Sequence, residues 1–397
     1  MTNPFFLQQI AANITYWQQV AADLSDETLA RIDREKQNLF RAVSYGLKRR
    51  ETVAESLALI VALFPLVERR GYWQEWLSVL EEALQRCPEQ DIYMQAALLS
   101  QIGFLHQLLH EYPRSITVLK EAVALAETTG AADTLANATY YLASSYNFVK
   151  KYQLSVEYLE RARAAFAAAG LLEQPKKKAA IFSLQGRNAQ GMGEYDQAIA
   201  AYKNAIHYWE EAGEHIYAVR IWNNLGNSYK ANGNPEAALA CFDAAEEALT
   251  ATVSEDERIR IATNRGNCYY QMAAWEAAEA ALRQAERMLR GRLFGSNRFD
   301  MALVHNNLAA VLLELERLDE ADEHAVQSIA MWEVLHNRIM MANSTGVRGE
   351  IAVAQQDWAA ARTHFEAAIN GLAAVPEDMW AQERRAELAQ KLQELPA

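Results

Sequence analysis

A set of small residues recurs along most of this 397-residue chain at a fixed spacing, and no other feature constrains its fold as strongly. Counted from Gly226, small residues stand twelve positions later at Ala238 and nineteen positions later at Ala245. The same pattern recurs at intervals of 39 to 43 residues from seven other anchor residues: Phe64, Gly103, Ala143, Gly186, Gly266, Ala309 and Gly349. Only the first register, around Phe64, loses two of its three small residues. The pattern indicates an internal repeat.

The spacing within one repeat predicts a helix hairpin. Small residues at the anchor and twelve positions later let two antiparallel helices cross closely. An aromatic residue or Pro235, nine positions after most anchors, is typical of the start of a second helix. One hairpin cannot bury its own apolar face, so the hairpins must stack. The sequence therefore predicts an all-α fold, a right-handed α-α superhelix of about eight helix hairpins with extra helices at both ends.

The same register predicts the domain organisation. Residues 1–50 are expected to form an N-terminal helical junction or cap, and residues 373–397 a C-terminal capping helix. Between them, residues 51–372 divide into eight repeats, with boundaries at 51–89, 90–129, 130–171, 172–212, 213–252, 253–294, 295–336 and 337–372.

The fifth repeat resembles a known family. Its signature residues are Trp222, Leu225, Gly226, Tyr229, Ala238, Phe242 and Ala245, and they are similar to those of the tetratricopeptide repeat. The period near 40 is longer than the usual 34 of that family, and is similar to the extended repeats of kinesin light chains and of bacterial signal-sensing superhelices. The resemblance implies a binding scaffold made of stacked helix pairs.

A second resemblance concerns the segments before and at the start of the repeats. The residues that carry it are Asp33, Glu35, Asn38, Leu39, Ala42, Leu47, Arg70, Gly71, Trp76 and Leu77. They resemble the junction between the ATPase part and the tetratricopeptide sensor of bacterial STAND-type regulators. The chain lacks the G-x-x-x-x-G-K-[ST] sequence that cradles nucleotide phosphates. The resemblance therefore implies kinship with the sensor half of such regulators.

Charge and composition exclude several kinds of partner. The formal net charge of −13 gives the chain no general electrostatic attraction to nucleic acid. Three cysteines are too few for a disulfide framework and favour a reducing compartment. The longest apolar run, 57–67, is too short to cross a bilayer, and the N-terminus lacks a basic and apolar secretion signal. We therefore expect a cytoplasmic protein that binds neither nucleic acid nor membrane.

The sequence offers little that could support catalysis or hold a cofactor. His106 and His110 are four positions apart in a segment that reads as helical, but a metal site needs further ligands and a supporting shell. The buried thiols expected at Cys241 and Cys268 favour packing over redox chemistry. No arrangement of nucleophile and base stands out. We predict no catalytic residues, no metal, no cofactor and no enzymatic activity.

The first helices of stacked hairpins line the concave surface, and positions −6, −3, +1 and +4 from the anchor share one face of each. In the middle of the array these positions are polar and locally basic. Asparagine is a poor helix former, so a row of it needs a reason; its amide can pair with an extended peptide main chain. The predicted ligand-binding groove comprises Tyr140, Asn147, Arg187, Arg220, Asn223, Asn227, Lys230, Arg260, Asn267, Tyr270 and Asn306.

Three other asparagines, Asn224, Asn264 and Asn307, stand two positions before an anchor and are expected to hydrogen-bond neighbouring helices instead. The leading hypothesis is a module that captures a peptide or protein segment in the groove, as a sensor in a bacterial regulatory system. One alternative is a sensor of a small-molecule effector, because partly apolar positions flank the polar centre of the concave surface. Another is a self-associating scaffold. The sequence leaves the oligomeric state and the ligand open.

Overall fold

The computed structural model describes residues 4–22, 26–249, 255–291, 298–374 and 379–396. In these ranges the backbone forms helices and no strand, so the all-α prediction is confirmed. The chain divides into two compact units, residues 1–212 and 213–397, and the division falls at the predicted boundary between the fourth and fifth repeats. The sequence-based division at residues 50 and 372 stays a prediction.

Unit 1 begins with two helices and continues with four hairpins. The N-terminal pair is α1 (Pro4–Ala21) and α2 (Asp26–Leu47). Each hairpin consists of a first helix, called the A helix, and a second, called the B helix. The hairpins are α3 (Val53–Arg70) with α4 (Trp73–Arg86), α5 (Ile92–Leu108) with α6 (Tyr112–Thr129), α7 (Ala132–Phe148) with α8 (Tyr152–Ala168), and α9 (Pro175–Gly191) with α10 (Tyr195–Glu211).

Unit 2 contains four hairpins and one further helix. The hairpins are α11 (His215–Ala231) with α12 (Pro235–Ala248), α13 (Glu255–Gln271) with α14 (Trp275–Arg290), α15 (Arg298–Glu314) with α16 (Leu318–Val334), and α17 (Arg338–Ala354) with α18 (Trp358–Leu372). The last helix, α19 (Met379–Gln393), packs on α18 and α17.

The anchor residues lie where the A and B helices of a hairpin cross. A Cβ atom added at Gly226 would stand 2.5 Å from the ring of Phe242, sixteen positions later, and one at Gly349 would stand 2.5 Å from the ring of Phe365. Both rings are fully buried. The small residue twelve positions after the anchor is also at the crossing, because the Ser115 hydroxyl donates to the Gly103 carbonyl at 2.7 Å. The contact at position +16 is the part that the sequence pattern did not show.

Each hairpin turns through one residue with a left-handed backbone, seven positions after its anchor. Glycine occupies this position in three repeats, for example at Gly233 with a φ of 78°. Other residue types occupy it in five, for example Lys150 at 58° and Glu316 at 57°. The first, degenerate repeat keeps the rule through Gly71, at 74°. The position of the turn therefore shows that the first repeat shares the common register, although it lacks two of the three small residues.

Within each unit, consecutive A helices contact one another. For example, α7 contacts α9, and α13 contacts α15. Consecutive B helices make no such contacts within the described residues. The stack in each unit therefore curves with its A helices on the concave side. We call the concave surface of α5, α7 and α9 the unit 1 inner face, and that of α11, α13, α15 and α17 the unit 2 inner face. None of the described helices is long and apolar enough to cross a membrane.

The crossing geometry predicts that Gly226→Leu lowers the free energy of unfolding by about 1–3 kcal/mol, because the new side chain must displace the buried ring of Phe242. Urea denaturation followed by circular dichroism measures the change. Gly291→Ala is the control, since its backbone is right-handed and the nearest atom to an added Cβ lies 3.6 Å away. Equal stability of the two variants would contradict the proposed crossing.

The turn rule predicts that Glu316→Gly raises the free energy of unfolding by about 0.5–1 kcal/mol, because glycine adopts a left-handed backbone without steric cost. Glu314→Gly, two residues earlier at the end of α15, should instead cost about 1 kcal/mol, since glycine is a poor helix former. Thermal unfolding of both variants distinguishes the two signs. Destabilisation by Glu316→Gly would show that the turn does not strain its residue.

Candidate functional site

Asparagine side chains connect neighbouring A helices on the unit 2 inner face. Asn264 Nδ2 donates to Asn223 Oδ1 at 2.8 Å, which joins α13 to α11. Asn307 Nδ2 donates to Asn267 Oδ1 at 2.7 Å, which joins α15 to α13. Amide pairs of this kind satisfy both a donor and an acceptor that burial would otherwise leave unpaired. We call these interhelical bonds, with those of Asn306, the amide ladder.

The ladder continues to the next repeat through Asn306. Its Oδ1 accepts from the Ser344 hydroxyl at 2.8 Å and from Asn343 Nδ2 at 3.3 Å, both on α17. Only 7% of the surface of Asn306, and of Asn223, is exposed. On the unit 1 inner face, Asn147 Nδ2 donates to Asn188 Oδ1 at 2.8 Å in the same way.

The amide ladder divides the predicted asparagines into two sets. Asn264 and Asn307 bond neighbouring helices as expected, whereas the Asn224 side chain makes no hydrogen bond within the described part of the chain. Asn223, Asn267 and Asn306, which the sequence assigned to the ligand, are partners in the ladder. Their role in binding a ligand stays a prediction. A ligand that contacts these amides would have to bond them alongside the hydrogen bonds of the ladder.

Two predicted arginines on the unit 2 inner face share one buried carboxylate. Arg220 Nε lies 2.8 Å from Glu257 Oε1, and an Arg260 nitrogen lies 3.6 Å from the same oxygen. The Glu257 side chain is 2% exposed, while those of Arg220 and Arg260 are 47% and 53% exposed. The acid holds the two cations beside α13, and together the three groups carry one net positive charge.

Three predicted residues on this face have side-chain groups without a partner. The Asn227 amide, the Lys230 ammonium and the Tyr270 hydroxyl form no hydrogen bond or ion pair among the described residues. All three side chains are half-buried. Burial lowers the pKa of Lys230 and raises that of Tyr270. An ammonium that is partly desolvated and unpaired favours an anionic group beside it. We call Asn227, Lys230 and Tyr270 the open set.

Arg187 is the corresponding cation on the unit 1 inner face. Its guanidinium lies 5.2 Å above the exposed ring of Phe148, and Nη2 donates to the Ser144 hydroxyl at 3.2 Å. The same hydroxyl accepts from Gln107 Nε2 at 2.7 Å. No carboxylate forms an ion pair with Arg187 in the described part of the chain. A guanidinium held on an aromatic ring in this way presents its remaining donors to a carboxylate or phosphate.

Lys177, near the start of α9, is a further cation that the predicted groove does not include. Lys177 Nζ donates to Asn137 Oδ1 at 2.8 Å and lies 5.0 Å from the Phe166 ring centre. Burial lowers the pKa of Lys177. Tyr140, which was predicted, donates its hydroxyl to the Ala180 carbonyl at 3.3 Å, and burial raises its pKa. The three consecutive lysines at 176–178 could have indicated Lys177, but a charge run is usually solvated.

The histidine pair that the sequence placed on one helix is not on one helix. The A helix α5 ends at Leu108, so His110 lies in the turn, at a left-handed φ of 62°. His106 Nδ1 is 2.7 Å from Glu111 Oε2, and His110 Nδ1 is 2.7 Å from the Tyr112 hydroxyl. The turn at position +7 separates the two rings. The sequence also contains a basic stretch at 287–298, between α14 and α15, and its residues 292–297 lie outside the described residues.

Comparison with known proteins agrees with the repeat pattern. The family model of the tetratricopeptide repeat matches residues 178–251, 217–291 and 300–374. These segments are tetratricopeptide repeats, which confirms the resemblance predicted from the sequence. The matched family is a repeat family and not a catalytic one. No protein with a curated description matches the sequence significantly.

Several solved structures are similar over most of the chain. The apo quorum sensor NprR from B. thuringiensis has a TM-score of 0.65 at 14% identity, and the match covers 92% of this chain and 99% of NprR. A Rap protein complexed with Competence and Sporulation Factor has a TM-score of 0.58 at 14% identity, over 86% of this chain and 99% of Rap. At such identities the likeness shows the fold alone.

The predicted STAND resemblance has a counterpart among these structures. A STAND protein with a tetratricopeptide repeat sensor from Pyrococcus horikoshii has a TM-score of 0.63 at 13% identity. The match covers 89% of this chain but 55% of that protein, so the present chain spans about half of its length. The repeat family supports an interaction scaffold, and these neighbours show the same fold.

The amide ladder predicts a difference between two asparagine substitutions on the same face. Asn307→Ala should lower the free energy of unfolding by about 1 kcal/mol, because Asn267 loses its donor. Asn227→Ala should leave stability unchanged or slightly higher, since its amide has no partner and alanine is the better helix former. Chemical denaturation of the two variants measures both effects. The reverse order of stabilities would show that Asn227 belongs to the framework and Asn307 does not.

Proposed function

We propose that this protein is a non-enzymatic binding module that captures a peptide or protein segment on the inner faces of its repeats, as a sensor in a bacterial regulatory system. The observation that carries the proposal is the open set of unit 2. Asn227, Lys230 and Tyr270 present an amide, a cation and a hydroxyl that the fold itself leaves unused. These groups can bond a ligand without breaking a contact of the fold.

The chemistry of the open set suits a peptide. An amide such as that of Asn227 donates and accepts, so it can pair with both groups of a peptide main chain. Lys230 supplies a positive charge for a carboxylate, and the half-buried position strengthens that attraction relative to bulk water. The amide ladder behind these residues holds the A helices at fixed spacing, which lowers the ordering cost of binding.

Charge complementarity supports an anionic group on the ligand. The chain as a whole carries a net charge of −13, yet Arg187 in unit 1 and Lys230 in unit 2 stand on the inner faces without an acidic partner among the described residues. Other inner-face cations are already used, as Arg220 and Arg260 are by Glu257. The negative charge elsewhere also disfavours nucleic acid as the ligand.

The proposal includes a cytoplasmic location, since the three cysteines are buried and form no disulfide in the described part of the chain. A compact anionic effector is the second candidate ligand. It is favoured by one observation, that the Tyr270 ring packs 5.1 Å from the ring of Trp275, which offers an apolar surface next to the Tyr270 hydroxyl. Separate peptide and small-molecule arms of one binding experiment distinguish the candidates.

The experiment measures binding of peptides selected by the wild-type protein from a random library. Asn227→Ala combined with Lys230→Met should weaken binding about a hundredfold, because a neutral hydrogen bond contributes about 1 kcal/mol and a charged one about 1.5–3. Stability should be kept, since neither side chain has a partner in the fold. Fluorescence anisotropy gives the dissociation constants.

The matched control replaces the same residue types on B helices, with Asn204→Ala in α10 and Lys120→Met in α6, both exposed. This variant should bind as the wild type does. Loss of binding in the control with retention in the Asn227/Lys230 variant would place the working surface on the B helices. If no library peptide is selected but native mass spectrometry of the purified protein detects a small bound anion, the second candidate is favoured.

A further inference from the structure

A cluster of ionisable side chains lies buried where α14, α15 and α16 meet, away from the open set. His305 on α15 and His324 on α16 face each other with their Nδ1 atoms 2.7 Å apart. Glu286, Arg283 and Arg290 approach them from α14. His305, His324 and Glu286 are 2%, 7% and 5% exposed. We call these five residues the histidine cluster.

The hydrogen bonds of the cluster fix the protonation of both rings. Arg283 Nη1 lies 3.0 Å from His324 Nε2, and an arginine can only donate, so this nitrogen accepts. The proton of a neutral His324 is then on Nδ1, which donates to His305 Nδ1. His305 in turn carries its proton on Nε2. Both rings are neutral in this arrangement. In the contact between them, Nδ1 of His324 donates and Nδ1 of His305 accepts.

The cluster resembles a metal site in composition but not in its surroundings. One carboxylate oxygen of Glu286 and one nitrogen of each histidine lie within 4.8 Å of one another. A histidine that binds a metal through Nδ1 carries a proton on Nε2 and needs an acceptor there, but His324 faces Arg283. Arg290 also donates to Glu286 Oε1 at 2.7 Å. Arg283 and Arg290 thus donate to both oxygens of Glu286, and this leaves the carboxylate poorly available to a cation.

Added protons cannot be accommodated without breaking a hydrogen bond. A proton on His305 Nδ1 would place two N–H groups against each other at 2.7 Å. A proton on His324 Nε2 would place an N–H against the Arg283 guanidinium at 3.0 Å. Either imidazolium would also be buried beside Arg283 and Arg290, with Glu286 as the nearest acid, 4.0 Å from His305 Nδ1.

The charges on the packed helices do not offset this cost. On α16, Glu320 lies 2.6 Å from Arg317 and 3.4 Å from Arg283, and on α14 Glu279 lies 2.7 Å from Arg317 and 3.4 Å from Arg283. On α13, Arg265 pairs with Asp243 at 3.2 Å. On α17, Arg348 pairs with Asp322 at 2.6 Å, and Glu350 pairs with Lys391 at 2.7 Å. Glu279 and Glu320 share their charge between Arg283 and Arg317, and the other groups are engaged in their own pairs. At His324 the attraction of Glu320 is smaller than the effects of burial and of Arg283, which oppose protonation.

We propose that the histidine cluster is a proton-sensitive lock that holds the sixth and seventh repeats together at neutral pH and releases them on acidification. Burial, then the charge of His324, lowers the pKa of His305 from the usual 6.5 to about 4. Burial, then the charge of Arg283, lowers the pKa of His324. The two histidines therefore bind protons more tightly in the opened chain than in the closed chain. The lock is intact above about pH 6.5 and weakens as the pH falls towards 4.

The lock is connected to the unit 2 inner face by adjacent residues. Asn306, which directly follows His305, is the ladder residue that accepts from Ser344. Ser328 of α16 donates to the Ala302 carbonyl of α15 and contacts the Ser344 hydroxyl at 2.9 Å. Loosening of α15 from α16 would therefore disturb the amide ladder at its late end. The inference does not depend on what the inner face binds.

Hydrogen exchange of backbone amides between pH 5.0 and 7.5, corrected for intrinsic exchange, tests the lock. Below pH 6.5, the equilibrium constant for opening of α15 and α16 should rise with each pH unit of acidification. The rise approaches tenfold per pH unit for each proton that the chain binds on opening. Amides of α11 and α12 in the same molecule should show a smaller slope. This range lies above the usual pKa of 4.5 of a glutamate, and the pKa of Glu286 in the closed chain is lowered, so Glu286 contributes little to the slope.

The double substitution His305→Asn with His324→Asn removes both titrating groups and should reduce the pH slope of α15 and α16 to that of α11. His215→Gln, at an exposed position, is the matched control and should keep the wild-type slope. If the double variant does not fold, nitrogen chemical shifts of the wild-type histidines give the same answer. Two rings should stay neutral at pH 5.5, one of them with its proton on Nδ1.

Three outcomes would overturn the proposal. One is an equal pH slope in the wild type and the double variant. Another is titration of both buried rings near pH 6.5. The third is stoichiometric binding of Zn²⁺ that shifts the His305 and His324 signals, because the cluster would then be a metal site and not a lock.

Discussion

The close crossing of two helix backbones at each anchor residue is the constraint on which the rest of the structure depends. At Gly226 there is no room for a Cβ atom beside Phe242, and the same holds at the other anchor glycines of the array. The crossing sets the angle within a hairpin, and the left-handed residue at position +7 sets its turn. Because the seven hairpins with a small anchor residue repeat this geometry, A helices fall beside A helices and form one concave face in each unit.

That arrangement explains why asparagine accumulates on helices that it does not favour. Polar side chains between adjacent A helices are partly buried, and the amide ladder satisfies them in pairs. The residues that remain open are those that the ladder does not reach, namely Asn227, Lys230 and Tyr270. A polar row on the concave surface is therefore a framework first, and the recognition surface that we propose is the smaller set left over.

The periodicity of the sequence was sufficient to predict the helix pairs, because the small residues needed at a crossing are visible in one chain. It could also identify Asn264 and Asn307 as residues that bond neighbouring helices. It could not separate Asn223 from Asn227, since both lie on one helix face and only the partner at Asn264 distinguishes them. The histidine cluster was also missed. His305 and His324 are nineteen residues apart on different helices, and no spacing rule indicates such a pair.

Site-specific photo-cross-linking tests the central claim, that the inner face of the repeats is the binding surface, most directly. A photoreactive phenylalanine analogue at position 270 on α13 would be compared with one at the exposed position 247 on α12. With a peptide selected by the wild-type protein, the account predicts cross-linking from position 270 that unlabelled peptide suppresses, and none from position 247. Specific cross-linking from position 247 alone would contradict it.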